Sequence, residues 1–238
     1  MRTSLLPSRR LGQLFGAAAL ACAATIFAAP ASAGVLDFET PVDNPFIFSG
    51  DVLTIGNYYL EGAGTAGFVG AIGTNDMCAG VQCPVNNAST YYTALDDGYF
   101  VFGMGDGSAF SLASLDASFI GAGLASYPSV AGLLYIAAFD ATGLVAEIYL
   151  DLDGPTGGSF NFASYNLSGF GGGALFTDVL IASYACDGVG NCGRTTNQAQ
   201  FAIDNIVTVD AAVVPEPGTF ALIGLGILGL ARSRRRAA

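Results

Sequence analysis

The 238-residue sequence has no histidine, no tryptophan and no lysine, and arginine supplies all eight of its basic residues. Arg2, Arg9 and Arg10 stand at one end and Arg232, Arg234, Arg235 and Arg236 at the other, so Arg194 is alone in between. Without an imidazole, Ser-His-Asp and Cys-His catalysis lack the group that takes the proton. Eighteen of the 19 acidic residues and one of the eight basic ones fall within 34–210, a formal charge of −17 for that segment. A surface of that sign excludes nucleic acid as a natural partner and disfavours anionic membranes. A persuasive helical period is also missing between the two ends.

Long apolar runs occur only at the extremities. Residues 1–33 combine the early arginines, an apolar core over 14–29 and Ala31-Ser32-Ala33, the three parts of a secretory signal, with cleavage expected after Ala33. The other end reads Val214, Pro215, Glu216, Pro217, then an apolar helix over 218–231, then the basic stop Arg232, Arg234, Arg235 and Arg236. Fourteen helical residues span about 21 Å, short of the roughly 30 Å hydrocarbon core. That length suits a transient stop that is later cut, with the arginines held on the cytoplasmic side. Gly224, Gly226 and Gly229 spell a dinucleotide-binding pattern, but no strand precedes them and no acidic residue follows.

This order of proline-flanked glutamate, short apolar helix and arginine cluster resembles the sorting tail of PEP-CTERM proteins. The resemblance covers the tail, 211–238, and implies processing by an exosortase. It also implies passage through the secretion machinery and transient attachment to the inner membrane. The destination is then the cell surface or the extracellular space.

Cys78, Cys83, Cys186 and Cys192 remain once the leader is removed. Export makes disulfides the first expectation, and the two close spacings suit two local loop staples, although four cysteines allow three connectivities. A four-thiolate zinc site usually uses tighter turns and a reducing compartment.

Between the ends, short alternating apolar segments recur, separated by Asp-Gly, Asn-Asp, Gly-Gly and proline turns. Strands are expected at 35–39, 52–55, 58–61, 67–72, 91–94, 99–103, 108–115 and 117–120. Four more are expected at 133–139, 145–152, 159–165, 175–184 and a last one at 200–209. Asp140-Ala141-Thr142-Gly143 reads as a hairpin connection. Many short strands in one domain of this length predict an all-β fold, two antiparallel sheets packed as a sandwich over 34–210. Asp37-Phe38-Glu39 and Phe201-Ala202-Ile203-Asp204-Asn205-Ile206 resemble the first and last strands of jelly-roll, galactose-binding-like modules. With the tail, Gln200-Phe201 and Asp204 resemble the PEP-CTERM group marked by Gln-Phe-x-x-Asp.

Calcium is the metal best matched to such a domain, because it takes oxygen ligands only. Jelly rolls bring first and last strands together, which points to Glu39 and Asp204 as a pair on one ion; if both are solvated or cap turns, no ion is needed. Tyr91, Tyr92 and Tyr99 are the candidates for a sugar-stacking platform in place of the missing tryptophan. These features lead to an exported, exosortase-processed envelope or extracellular-matrix protein with a non-catalytic domain. The alternative is a carbohydrate-binding module acting on exopolysaccharide, and further behind stands a glycoside hydrolase using two carboxylates.

Overall fold

The computed structural model describes residues 33–65, 67–75, 80–124, 126–194 and 197–210. The helices expected at the two ends, with Ala31 and every tail residue named above, lie outside the described residues. So does Cys78. In chain order the strands are β1 (Ala33–Leu36), β2 (Phe46–Phe48), β3 (Val52–Ile55), β4 (Tyr58–Ala63), β5 (Phe68–Gly73), β6 (Tyr91–Ala94) and β7 (Tyr99–Met104). They continue with β8 (Phe110–Phe119), β9 (Val130–Asp140), β10 (Gly143–Asp153), β11 (Ala163–Asn166), β12 (Asp178–Cys186), β13 (Cys192–Gly193) and β14 (Phe201–Asp210).

Every pairing is antiparallel, and the strands form two sheets, the all-β sandwich expected from the alternation. The first sheet runs β11-β8-β14-β6-β5-β2, and the second runs β10-β9-β12-β7-β4-β3. Two short strands lie off these paths, β1 beside β14 and β13 beside β12. Because side chains alternate across a strand, one set of each sheet meets between the layers. Phe38, Tyr92, Phe100, Phe102, Phe110, Phe119 and Phe201 meet there, each 2% exposed or less. Phe100 is the hub, with its ring centroid 4.6 Å from Tyr92, 6.0 Å from Phe102 and 6.2 Å from Phe201. Tilted and stacked ring pairs at these separations add to the area they bury.

The hairpin at 140–143 forms as the turn chemistry predicts. Gly143 pairs with Asp140, the Thr142 amide donates to Asp140 Oδ1 at 2.7 Å, and Gly143 takes φ +121°, a conformation other residues rarely adopt. Past this turn the register slips between Leu144 and Ala146, so Val145 is an extra residue and Tyr149 comes to face Tyr135. At the free edge of β10 the Tyr165 hydroxyl donates to the Asp151 carbonyl at 2.6 Å, and the 3-10 turn Phe170–Gly173 packs on the same strand.

Several elements differ from expectation, among them β11, which begins at Ala163, and β13, which was not expected. The first strand stops at Leu36, because Phe38 turns to φ +57° and carries its ring into the core. The two strands expected over 108–115 and 117–120 are one, Phe110–Phe119, since Asp116 stays in the ladder opposite Asp204. Phe46–Phe48 was not expected as a strand; it pairs with β5 through Ile47, which is fully buried between two exposed phenylalanines. Phe100→Ala is expected to destabilise the domain by about 3–5 kcal/mol, the usual cost of emptying an aromatic core site. A thermal or urea melt checks it; a loss below about 1 kcal/mol would mean that Tyr92 and Phe201 close the void.

Candidate functional site

β14 is paired along its whole length on one side by β8, but two strands share its other side. Residues 201–203 pair with β6 and residues 206–209 pair with β1. At the junction both β14 and β8 break alternation. Phe201 and Ile203 point into the core, and after the break Ile206 does, while on β8 the inward set shifts from Phe110 and Leu112 to Leu115 and Ala117. Asn205 takes φ +50° to make this bulge. Asp204 is thereby turned to the outer side of the first sheet, yet it is fully buried.

What buries it is the loop over residues 81–89, which folds back across that sheet. Gln82 bridges to Gly121, the Val85 amide donates to the Phe160 carbonyl, and Asn86 exchanges two hydrogen bonds with the Phe162 backbone. Beneath the loop Tyr91, Ile120 and Ala202 form a second small apolar cluster with Val81, Cys83, Leu95 and Phe162 against it. The loop delivers Asn87 Nδ2 and Ser89 Oγ to Asp204 Oδ2 at 2.8 and 2.7 Å, and the Asn205 amide donates to Asp204 Oδ1 at 2.8 Å. Asn87 Oδ1 in turn accepts from the Ser89 amide. On the neighbouring strand Asp116 pairs in register with Asp204 and accepts from Ser164 Oγ at 2.5 Å and Asn205 Nδ2 at 2.9 Å. Burial holds the Asp204 carboxyl above the usual carboxylate range, against the pull of its hydrogen bonds.

Glu39 lies next to this cluster. Its Oε1 accepts the Thr90 amide at 2.8 Å, one residue along from Ser89. Among the described residues no three carboxylates or thiolates converge as ligands for one ion. Arg194, the domain's lone base, is elsewhere: it donates to the Asp97 carbonyl at 2.5 Å and lies 5.0 Å from the centre of the Tyr99 ring.

The structure corrects the tyrosine expectation. Tyr91 and Tyr92 are both 0% exposed, Tyr91 under the 81–89 loop against Phe162 and Tyr92 between the sheets against Phe38 and Phe100. Two adjacent strand residues point to opposite faces, and here both faces are covered. Tyr99 is half-buried under Arg194. The cysteine expectation is met for one pair, since Cys186 and Cys192 form a disulfide that clips β13 to β12. Cys83 is also disulfide-bonded, its expected partner Cys78 lying outside the described residues.

A different aromatic set is open. Tyr135, Tyr149 and Tyr184 stand on three adjacent strands, β9, β10 and β12, on the outer side of the second sheet. Their ring centroids are 4.8, 6.0 and 6.4 Å apart, and Tyr149 is 51% exposed. Glu147 and Asp151, two residues either side of Tyr149, are exposed on the same outward set, and Tyr135 donates to Glu147 Oε2 at 2.7 Å. That bond, with burial, pushes the Tyr135 phenol up to about 12, so it remains a protonated donor. The signal for this set was present as Glu147-x-Tyr149-x-Asp151, an outward alternation on a strand that follows a legible hairpin.

Three further acidic groups act within their own turns. Asp106, Asp140 and Asp187 accept from Ser108, Thr142 and Asn191 in their own turns, which holds each carboxyl below its usual range. A cleft of about 420 Å³ beside the Cys186–Cys192 disulfide is lined by Leu124, Pro128, Asp187, Asn191 and Gln198. Its one lining carboxylate, Asp187, is tied to its own loop by Val189 and Asn191.

The tail matches the family model of the PEP-CTERM protein-sorting motif over residues 213–236. No curated protein matches the chain. Among solved structures, a DUF4465 family protein from Bacteroides caccae aligns at 14% identity with a TM-score of 0.46, covering 79% of this chain and 96% of that one. A family 29 carbohydrate-binding module aligns at 12% identity, TM-score 0.35, over 79% and 97%. A family 11 carbohydrate-binding module from Clostridium thermocellum, in complex with a mixed-linked tetrasaccharide, aligns at 15% identity, TM-score 0.31, over 77% and 98%. Likeness at these scores carries nothing about ligand or activity.

A group whose carboxyl is raised by folding binds its proton more tightly folded than unfolded. Its share of stability is therefore greatest at low pH and is lost as pH rises from the ordinary carboxylate value through the raised one. Replacing Asp204 by Asn removes that dependence. The melting temperature of the wild type minus that of Asp204→Asn is expected to fall as pH rises above the ordinary carboxylate range. Parallel curves there would show that Asp204 titrates as an ordinary surface carboxyl.

Proposed function

We propose that the chain is an exported, exosortase-processed protein of the cell envelope or extracellular matrix, whose β-sandwich binds and does not catalyse. The observation that carries this reading is the sorting motif at 213–236 with its arginine end. The non-catalytic half is supported by what the carboxylates do. Asp204, the buried one with a raised carboxyl, spends its oxygens on Asn87, Ser89 and Asn205 beneath a loop and is not presented to a substrate. A perturbed carboxyl is otherwise a sign of an acid or base at work, but here the perturbation has a structural cause.

Cell fractionation with and without exosortase tests the proposal. With the enzyme, the protein is expected to begin at Gly34, to have lost its arginine end, and to appear at the surface or in the medium. Without it, full-length protein should stay in the inner membrane. The same full-length, membrane-held species in both strains would end the proposal.

A structural calcium ion between Glu39 and Asp204 is a second proposal, independent of the first. Its support is that Asp204 and Asp116 are paired in register with the domain's only base engaged at Asp97. An ion would take up oxygens that Asn87, Ser89 and Thr90 now engage. Millimolar calcium is expected to raise the melting temperature of the wild type and not of Asp204→Asn; no shift with calcium or chelator would dispose of the ion.

A further inference from the structure

Three exposed features have no role in what precedes: the Phe46, Phe48 and Phe68 patch on β2 and β5, the cleft beside the Cys186–Cys192 disulfide, and the tyrosines of the second sheet. The phenylalanine patch offers no hydrogen-bonding group to choose an occupant, and the cleft offers a carboxylate already tied to its own loop. The tyrosine face has rings, hydroxyl tips and carboxylates together, and the charge of the domain narrows what it can hold.

We propose that Tyr135, Tyr149 and Tyr184, with Glu147 and Asp151, form a binding face for a glycan that carries free amino groups, a polymer of amino sugars. The proposal rests on the envelope or matrix reading above and names the partner that reading leaves open. A pyranose ring presents a flat face of C–H groups that packs on an aromatic surface, and Tyr149, half exposed at the strand nearest the sheet edge, supplies one. Strand alternation puts Glu147 and Asp151 each about 7 Å from Tyr149 along β10, on the same outward side. An ammonium group on the sugar can therefore meet a carboxylate while the ring stays on the tyrosine, and the rings themselves attract cations.

Charge decides between glycans. At −17 for 34–210 the domain repels polyanionic polysaccharide and concentrates polycations at its surface. The same repulsion disfavours a second copy of the chain as occupant. A sheet face offers side chains and no main-chain hydrogen bonds, because those are spent within the ladder. An extended peptide consequently cannot add as a strand there, whereas a stiff polymer with flat apolar faces needs only side chains.

Titration calorimetry on the full-length protein in detergent tests the proposal, with a glucosamine hexamer, its fully N-acetylated counterpart and an oligolysine as probes. The glucosamine hexamer is expected to bind at low salt and to weaken steeply as salt rises. Tyr149→Ala and Tyr184→Ala should each lower its affinity about tenfold. Glu147→Gln and Asp151→Asn should weaken binding and flatten its salt dependence. Equal affinity for the N-acetylated hexamer, equal affinity for oligolysine with no effect of Tyr149→Ala, or no binding of the glucosamine hexamer would each overturn it. Tail processing is read in the cell and glycan binding in the calorimeter. Binding by a protein that is never processed removes the sorting proposal alone, and correct processing without binding removes this one alone.

Discussion

The sandwich depends on a carboxylate in a place where charge is costly. β14 has to accept two different strands on one side, and the gap between them would leave main-chain groups and a loop unsupported. Asp204 closes the gap by accepting from the Asn205 amide on its own strand and from Asn87 and Ser89 on the loop above. A buried carboxylate left without donors would be expensive, so these bonds are a condition of the bulge and not an addition to it. Through Asn87 the loop is positioned, through the loop the outer cluster around Tyr91 is covered, and through the bulge Ile206 reaches the core on the far side.

Alternation alone marked most strands, with β3 and β6 beginning and ending where the pattern does. It failed where one residue is added or turned. Phe38 looks like the continuation of a strand, and only the core explains why the backbone leaves the ladder to bury it. Tyr91 and Tyr92 look like an exposed pair because the loop that covers one of them comes from residues 81–89, which carry no strand signal. Asp204 was legible as a special residue in its motif, but Asn87 and Ser89 lie more than a hundred positions earlier and nothing local connects them.

The tyrosine face shows how a single residue hides a site. Counted from the 140–143 turn without a slip, Tyr135 would stand opposite Ile148, whose side chain packs on the core. The extra residue Val145 restores agreement, so that Ala146, Ile148, Leu150 and Leu152 go in and Glu147, Tyr149 and Asp151 go out. The conflict between turn-based and pattern-based register was visible in the sequence; its resolution needed the packed second sheet. The same acidic composition that excluded whole classes of partner at the start then gives this face its preference of sign.

The hydroxyl of Tyr165 has one more effect. It occupies a carbonyl at the outermost strand of the second sheet, where the 3-10 turn Phe170–Gly173 also lies. An open row of such groups is a template on which neighbouring molecules stack into fibres. Plugging that row with a side chain and a tight turn favours separate molecules over self-propagating aggregates.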